Sequence, residues 1–471
     1  MKPDICVIGA GAAGLTVAAA AASFGVRVVL VENGKMGGDC LNYGCVPSKS
    51  LLAVAKNVQE QRDGVRFGMS VNEPEVDYGA ASTFLHGVID QIAPHDSQER
   101  FEGLGVTVLR SEGRFTSPSS LQVGELEVKA RRFVVATGSR ASIPEINGLD
   151  SVPYLTNETL FDLQEKPEHL IIVGGGAIGM EMAQAHARLG SQVTVIEAGK
   201  ALSKMDADLC AVVLSSLRKE GVTILDNANI ERVRKSGRGL SVELRHEDRG
   251  VGIEGSHLLI AAGRQANVEK LCLDQAEVQC NQSGIQVNKG LRTSNPKIYA
   301  IGDVTGGLQF THLAGAQGAL AIKSLLFRLP VNAHNLLTPR TLYTDPEIVE
   351  VGLSEAEARE KHGRFLKVLT SSFSENDRAL SSGKKEGFVK LLVGRGGRLL
   401  GAGIVGDNAG ELINVLSLMI SKKMGVGALL GLVMPYPTRS EAIKRAALSY
   451  YADVPKKSVL RGALRILRLF G

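Results

Sequence analysis

Tryptophan is absent from the 471-residue chain, and aromatic residues make up only 4% of it. So few rings cannot supply the stacking platforms on which single-stranded nucleic acids are held. The net charge of +5, from 54 Lys and Arg against 49 Asp and Glu, is too small for a nucleic-acid groove. Cysteine is scarce as well. Six in the whole chain cannot staple a disulfide scaffold, and their spacing fits no zinc ribbon or finger, so no metal site is expected. Long apolar runs are missing too. Residues 5–26 carry no charge, but Gly9, Gly11, Gly14 and Gly25 interrupt them. They also divide into a β-branched piece and an Ala-rich piece, which fits neither a signal peptide nor a membrane span. The expected location is the cytoplasm.

What is present is an ordinary globular balance, with 44% hydrophobic and 22% charged residues, which excludes disorder and low complexity. Short β-rich runs alternate with helical patterns, the mark of an α/β fold. Residues 4–8 read as a strand, 11–24 as a helix and 27–32 as a second strand. Residues 170–173, 177–189 and 192–197 repeat that unit. Each βαβ unit of this kind carries one dinucleotide, so two sites are expected. Beyond about residue 335 the character changes. Residues 388–393 and 399–405 read as antiparallel strands, 409–423 as a helix, and Ser354 with Glu357 as a capping box.

Each repeated unit carries a glycine fingerprint. In Gly9-x-Gly11-x-x-Gly14 the first glycine permits a tight turn. The second lets backbone approach a pyrophosphate, and the third lets helix and strand pack closely. Glu32 ends the following strand, where a carboxylate takes ribose hydroxyls. Gly174, Gly176, Gly179 and Glu197 repeat the pattern. An acid at 197, followed by Ala198 and not by Arg, favours NAD(H) over NADP(H).

Between these units lies GGDCLNYGCVPSK, residues 37–49, with Cys40 and Cys45 close together. Positions five apart do not share a helix face, so a bridge needs local distortion, which Gly37, Gly38, Gly44 and Pro47 permit. Two readings are open: buried free thiols, or a redox pair whose thiolate is favoured by a helix start and by Lys49.

This segment, together with TSNPKIYAIGDV at residues 293–304, resembles the flavoprotein pyridine-nucleotide–disulfide oxidoreductases, the family of dihydrolipoyl dehydrogenase and mercuric reductase. The resemblance implies two Rossmann-type domains, for FAD and NAD, and a C-terminal α+β dimerisation domain. The corresponding boundaries are 1–146 and 266–335 for FAD, 147–265 for NAD, 336–455 for the interface and 456–471 for a tail. It also implies that Gly9, Gly11, Gly14, Glu32, Gly113, Thr137 and Gly138 surround the adenosine half of FAD. Asp303, Thr311 and His312 would lie along the ribityl chain and flavin ring. Lys49, paired with Glu181, would lie beside the ring. Gly174, Gly176, Gly179, Glu197 and Gly263 would hold NAD(H). Cys45 would face the flavin as the charge-transfer thiolate and Cys40 would be the interchange thiol that meets substrate, in a homodimer whose C-terminal motif completes the partner's site.

The chain departs from the family where a His-Pro-x-x-x-Glu motif is expected. MPYPTRSEA, residues 434–442, has Tyr436 in place of the His and keeps Glu441. A Tyr near pKa 10 is a poor proton shuttle at pH 7. A dihydrolipoyl-dehydrogenase type of activity on a small dithiol, disulfide or lipoyl carrier is the leading expectation. A mercuric or other metal-ion reductase is the alternative. A membrane-docked subunit passing electrons to a quinone or protein is the third.

The tail at 456–471 contains Lys456, Lys457, Arg461, Arg465 and Arg468 and no acid, so it carries the whole surplus of +5. Its basic and apolar residues recur at helical spacing on different faces. The tail is read either as a helix packed on its own dimer, or as an anchor for an anionic membrane at its inner face or for an acidic protein.

Overall fold

The computed structural model describes residues 1–237, 239–454 and 458–470. Two compact units emerge. The first comprises Met1–Ala201 and Thr223–Leu336, and the second Leu202–Val222 and Leu337–Gly471.

The first unit holds two parallel sheets of related topology. In one, the order is Ile298–Ala300, Arg132–Val135, Ile5–Ile8, Val28–Val31 and Thr107–Leu109. Ile5 stands beside both Val28 and Arg132 in register. In the other, the order is Thr223–Leu225, Gln192–Ile196, His169–Val173 and His257–Ile260. Ile5–Ile8 and Val28–Val31 are buried throughout, as strands covered on both faces must be. One face of the first sheet packs on helices Ala12–Ser23 and Thr311–Phe327. The other packs on a cluster containing Phe115 and Phe133, whose rings meet edge to face at 5.3 Å. The helix Ala12–Ser23 is rich in alanine because it lies in that close contact. A Cβ at Gly318 would meet Ala13 O at 3.0 Å and Thr16 Cβ at 3.1 Å.

The second unit is built on an antiparallel sheet ordered Arg340–Leu342, Glu347–Gly352, Leu399–Gly406, Phe388–Val393 and Lys367–Ser372. The two strands expected here pair directly, with Val389 opposite Ile404. Helices Ala409–Ser421 and Glu441–Ser449 bury their apolar stripes in the same core. The Ser354–Glu357 capping box is formed.

One polar feature of this unit is deeply buried. Lys390, 5% exposed, meets Asp206 at 2.7 Å, Asp208 at 2.8 Å and Glu355 at 2.6 Å. Burial alone would lower its pKa; the three carboxylates outweigh that and raise it. The cluster fastens the helix Ala207–Lys219 to the sheet of this unit.

Candidate active site

Gly9 and Gly174 adopt φ of +107° and +112°, a region where glycine alone is unstrained. A Cβ on Gly14 would collide with the carbonyl oxygen of Gly9, and one on Gly179 with that of Gly174. The third glycine of each unit therefore sets how closely the helix approaches its strand. The second glycine has a different role. A Cβ on Gly176 would meet nothing within 4 Å, and one on Gly11 only Gly38 Cα at 3.9 Å.

The two acids take matching positions. Glu32 accepts hydrogen bonds from Ala10 N and Gly34 N, both at 2.6 Å. Glu197 accepts from Gly175 N at 2.6 Å and Gly199 N at 2.8 Å. Each carboxylate thus braces its own glycine turn. Open backbone at the second glycine, a helix start behind it and a carboxylate at the strand end fit the adenosine-diphosphate portion of a dinucleotide. Gly138 and Gly263, with φ of +69° and +124°, also face open space. Gly113 is buried, and a Cβ there would sit 3.3 Å from Val31 Cγ1, next to Glu32 in sequence.

The cysteine segment is two helices broken at Tyr43–Gly44. Gly38–Asn42 follows the left-handed Gly37, and Cys45–Asp63 begins at the second cysteine. That break supplies the distortion which five-residue spacing requires. Cys40 and Cys45 are both free thiols. A hydrogen bond from Cys40 favours the Cys45 thiolate. Partial burial opposes it, Thr311 and Lys49 add to it, and the pKa falls to about 6. The same bond, with burial, pushes the Cys40 thiol up. At pH 7 the pair is one thiolate and one thiol.

Other expected residues gather here. Thr311 Oγ1 lies 3.3 Å from Cys45 Sγ, and Lys49 Nζ donates to Glu181 Oε2 at 2.8 Å. Glu181 is almost fully buried, on the helix Ala177–Arg188 of the second glycine unit. The Lys49–Glu181 bond therefore links the helix of the cysteines to the helix of the second nucleotide motif. His312 stacks on Phe310, with ring centroids 5.2 Å apart. Thr137 donates to Asn267 O at 2.7 Å, and Asn267 returns a bond to Thr137 O at 3.0 Å.

The sequence reading missed Arg264, Asp39, Ser139 and Asn157. Arg264, whose side chain is 12% exposed, contacts Asp39 at 3.0 Å, Asp303 at 3.9 Å and Ser139 Oγ at 2.8 Å. Ser139 donates to Asp303 at 2.7 Å, and Asn157 to Asp39 at 2.9 Å. Burial raises the Asp303 pKa; Ser139 and Arg264 oppose that, while Asp39 reinforces it. A signal was available, because Arg264 and Ser139 directly follow Gly263 and Gly138, and Asp39 lies inside the cysteine segment.

Tyr436 and Glu441 lie on the second unit. The Tyr436 hydroxyl donates to Asp377 Oδ2 at 2.9 Å, which raises its pKa, and the side chain is 72% exposed. Glu441 accepts from Thr438 N at 3.4 Å.

Comparison with known proteins accounts for this arrangement. Residues 3–318 match the pyridine nucleotide-disulphide oxidoreductase model, and residues 338–447 match that family's dimerisation domain. The chain belongs to this family. It is therefore an oxidoreductase of a flavoprotein family that binds FAD, uses NAD(P)H and acts on sulfur groups, and it carries a homodimerisation domain. Mercuric reductase of Streptomyces lividans is 35% identical over 467 residues, covering 98% of each chain. Dihydrolipoyl dehydrogenase of Chlorobaculum tepidum is 34% identical over 454 residues, covering 94% of this chain and 96% of that one. Among solved structures, the HOCl-induced flavoprotein disulfide reductase RclA from Escherichia coli superposes with a TM-score of 0.85 at 29% identity. That match covers 94% of this chain and 99% of RclA. Among the described residues no helix is long and apolar enough to cross a membrane.

Proposed function

We propose that this flavoenzyme is an NADH-preferring reductase whose Cys40–Cys45 dithiol delivers two electrons to a thiophilic metal ion of the mercuric type. Bound FAD supplies the two-electron relay between nicotinamide and the thiol pair. The residues argued for it are Gly9, Gly11, Gly14, Glu32, Thr137, Gly138 and Asp303, with Thr311 and His312 toward the ring. NADH preference rests on Glu197, whose carboxylate at the strand end suits a free 2′-hydroxyl and repels a 2′-phosphate.

The observation that carries the choice of substrate is the state of Tyr436. Reducing a disulfide produces two thiolates that must be protonated, and the family's His performs that transfer. Here the replacing hydroxyl is already bonded to Asp377, with its pKa raised, so it keeps its proton at pH 7. A thiophilic metal ion needs no such donor. It displaces the Cys40 proton, binds thiolate sulfur and accepts the electron pair, for a net NADH plus M²⁺ giving NAD⁺, H⁺ and M⁰. The name of the Streptomyces lividans relative agrees with this reading. A dithiol–disulfide substrate is the second reading, favoured by the preserved Lys49–Glu181 pair and by the Chlorobaculum tepidum relative.

The test is NADH oxidation by the FAD-loaded dimer with mercuric ion and excess thiol, beside lipoamide and glutathione disulfide. Mercuric ion should stimulate turnover, NADPH should be at least about tenfold poorer, and Cys40→Ser and Cys45→Ser should each abolish the stimulation. Lipoamide turnover faster than the metal-dependent rate would reverse the order of the two readings. Metal stimulation that survives both substitutions would remove the dithiol from the mechanism.

A further inference from the structure

The helix Ser458–Leu467 differs from the other α-helices among the described residues of the second unit. Ala409–Ser421 buries Ala409, Ile413, Leu416 and Met419, and Glu441–Ser449 buries Ala442, Ile443, Ala446 and Ala447. Along residues 458–470, every side chain that is described is exposed, including Ile466 at 60%, Leu467 at 63% and Phe470 at 85%. Leu460, Leu464 and Leu467 recur at three- and four-residue spacing along one face. Arg461, Arg465 and Arg468 recur at the same spacing along another. The segment also lies beyond residues 338–447, which match the dimerisation domain.

We infer that this helix docks the enzyme on an anionic lipid surface. The charge distribution selects the partner. By sequence, residues 456–471 hold the net +5 of the chain and no acid, Lys456 and Lys457 lying outside the described residues. Residues 1–455 sum to zero, so the tail carries the net charge that draws the chain to an anionic surface. The apolar face selects a bilayer over an acidic protein. A row of leucines directly beside a row of arginines fits the boundary between acyl chains and anionic headgroups. Arginines alone would suffice for an acidic polypeptide. A dimer presents two such helices, and simultaneous engagement strengthens each weak contact.

The inference is independent of the substrate, and its deciding readout is vesicle binding, with turnover serving only as a control for intact enzyme. FAD-loaded full-length protein is sedimented with vesicles of phosphatidylcholine containing about 30% phosphatidylglycerol and with pure phosphatidylcholine vesicles. It is compared with a chain ending at residue 455, with Arg465→Gln/Arg468→Gln and with Leu464→Ser/Leu467→Ser. The full chain should partition to anionic vesicles at least about tenfold better than to neutral ones. The truncation and both double variants should lose that preference while remaining dimeric in light scattering and unchanged in NADH oxidation. Three results would overturn the inference. One is equal partitioning of full and truncated chains. Another is a truncated chain that falls apart into monomers, which would assign the helix to the dimer. The last is a leucine variant that still binds polyglutamate beads while the full chain ignores vesicles, which would assign it to an acidic protein.

Discussion

The two glycine units are built alike and used differently. Each has a buried strand, a 12-residue helix and a strand-end glutamate bonded back to the glycine turn. In the first, the second glycine faces the backbone of Gly38, so the cysteine segment lies directly in front of the turn. Its helix buries only alanine, glycine, leucine and valine. In the second, Gly176 faces open space and the helix buries Glu181, Gln184, His186 and Arg188. Burial lowers the His186 pKa to about 4, so it is neutral where it meets the Tyr78 hydroxyl at 3.1 Å. One unit is enclosed by its own chain, as suits a resident cofactor. The other is open at the turn, as suits a nucleotide that comes and goes, and its helix buries polar side chains against neighbouring elements such as Tyr78.

The largest effects should separate these roles. In Gly14→Val the added side chain meets the Gly9 carbonyl. We expect loss of most bound flavin and about 3 kcal/mol of stability, read from the ratio of flavin to protein absorbance and from urea unfolding. Gly176→Ala should leave flavin content and stability unchanged and raise KM for NADH roughly tenfold, because its Cβ intrudes only where pyrophosphate would pass. Equal flavin loss in both variants would erase the distinction.

The Lys49–Glu181 bond joins the two halves, and its partners differ in exposure, 36% against 5%. Lys49→Met takes the charge partner from the buried carboxylate and should cost about 3 kcal/mol. Glu181→Gln takes it from the more exposed ammonium and should cost about 1 kcal/mol. The reverse order in denaturant titrations would contradict this asymmetry.

A smaller effect concerns pH. The Cys45 thiol titrates near 6 in the folded protein, below its unfolded value of about 8.5. A depressed acid contributes stability that is complete above the unfolded pKa and lost as pH falls through the folded one. Reduced enzyme should therefore lose stability relative to Cys45→Ser between about pH 8.5 and 6. Its thiolate absorbance at 240 nm should fall with a midpoint near 6, a midpoint that moves upward in Thr311→Val. The smallest effect is expected at Tyr436→Phe. Metal-dependent turnover should change less than about threefold, since the hydroxyl transfers no proton there. A loss of tenfold or more would make Tyr436 a participant.

How much was legible in advance follows from range along the chain. Strand, glycine turn, helix and terminal acid depend on neighbours within one βαβ unit, and residues 9–32 and 174–197 displayed them openly. The capping box and the paired strands around 389 and 404 are short-range features of the same kind. The unforeseen residues have distant partners. Arg264 meets Asp39, and Lys390 meets Asp206, Asp208 and Glu355. Arg264 is marked locally only by its place after Gly263, and nothing beside Lys390 in the sequence announces its burial.

The sequence by itself determined the family, the two nucleotide motifs and the cysteine pair, because each is written in backbone requirements at fixed local spacing. The resemblance already names Cys45 as the thiolate; tertiary structure alone decided what makes the two thiols differ in acidity at pH 7. That difference depends on a Cys40 thiol brought into contact across a helix break, and on Thr311, 266 residues from Cys45 in the chain. Charge stabilisation acts through a few ångströms of space, and only folding sets those distances.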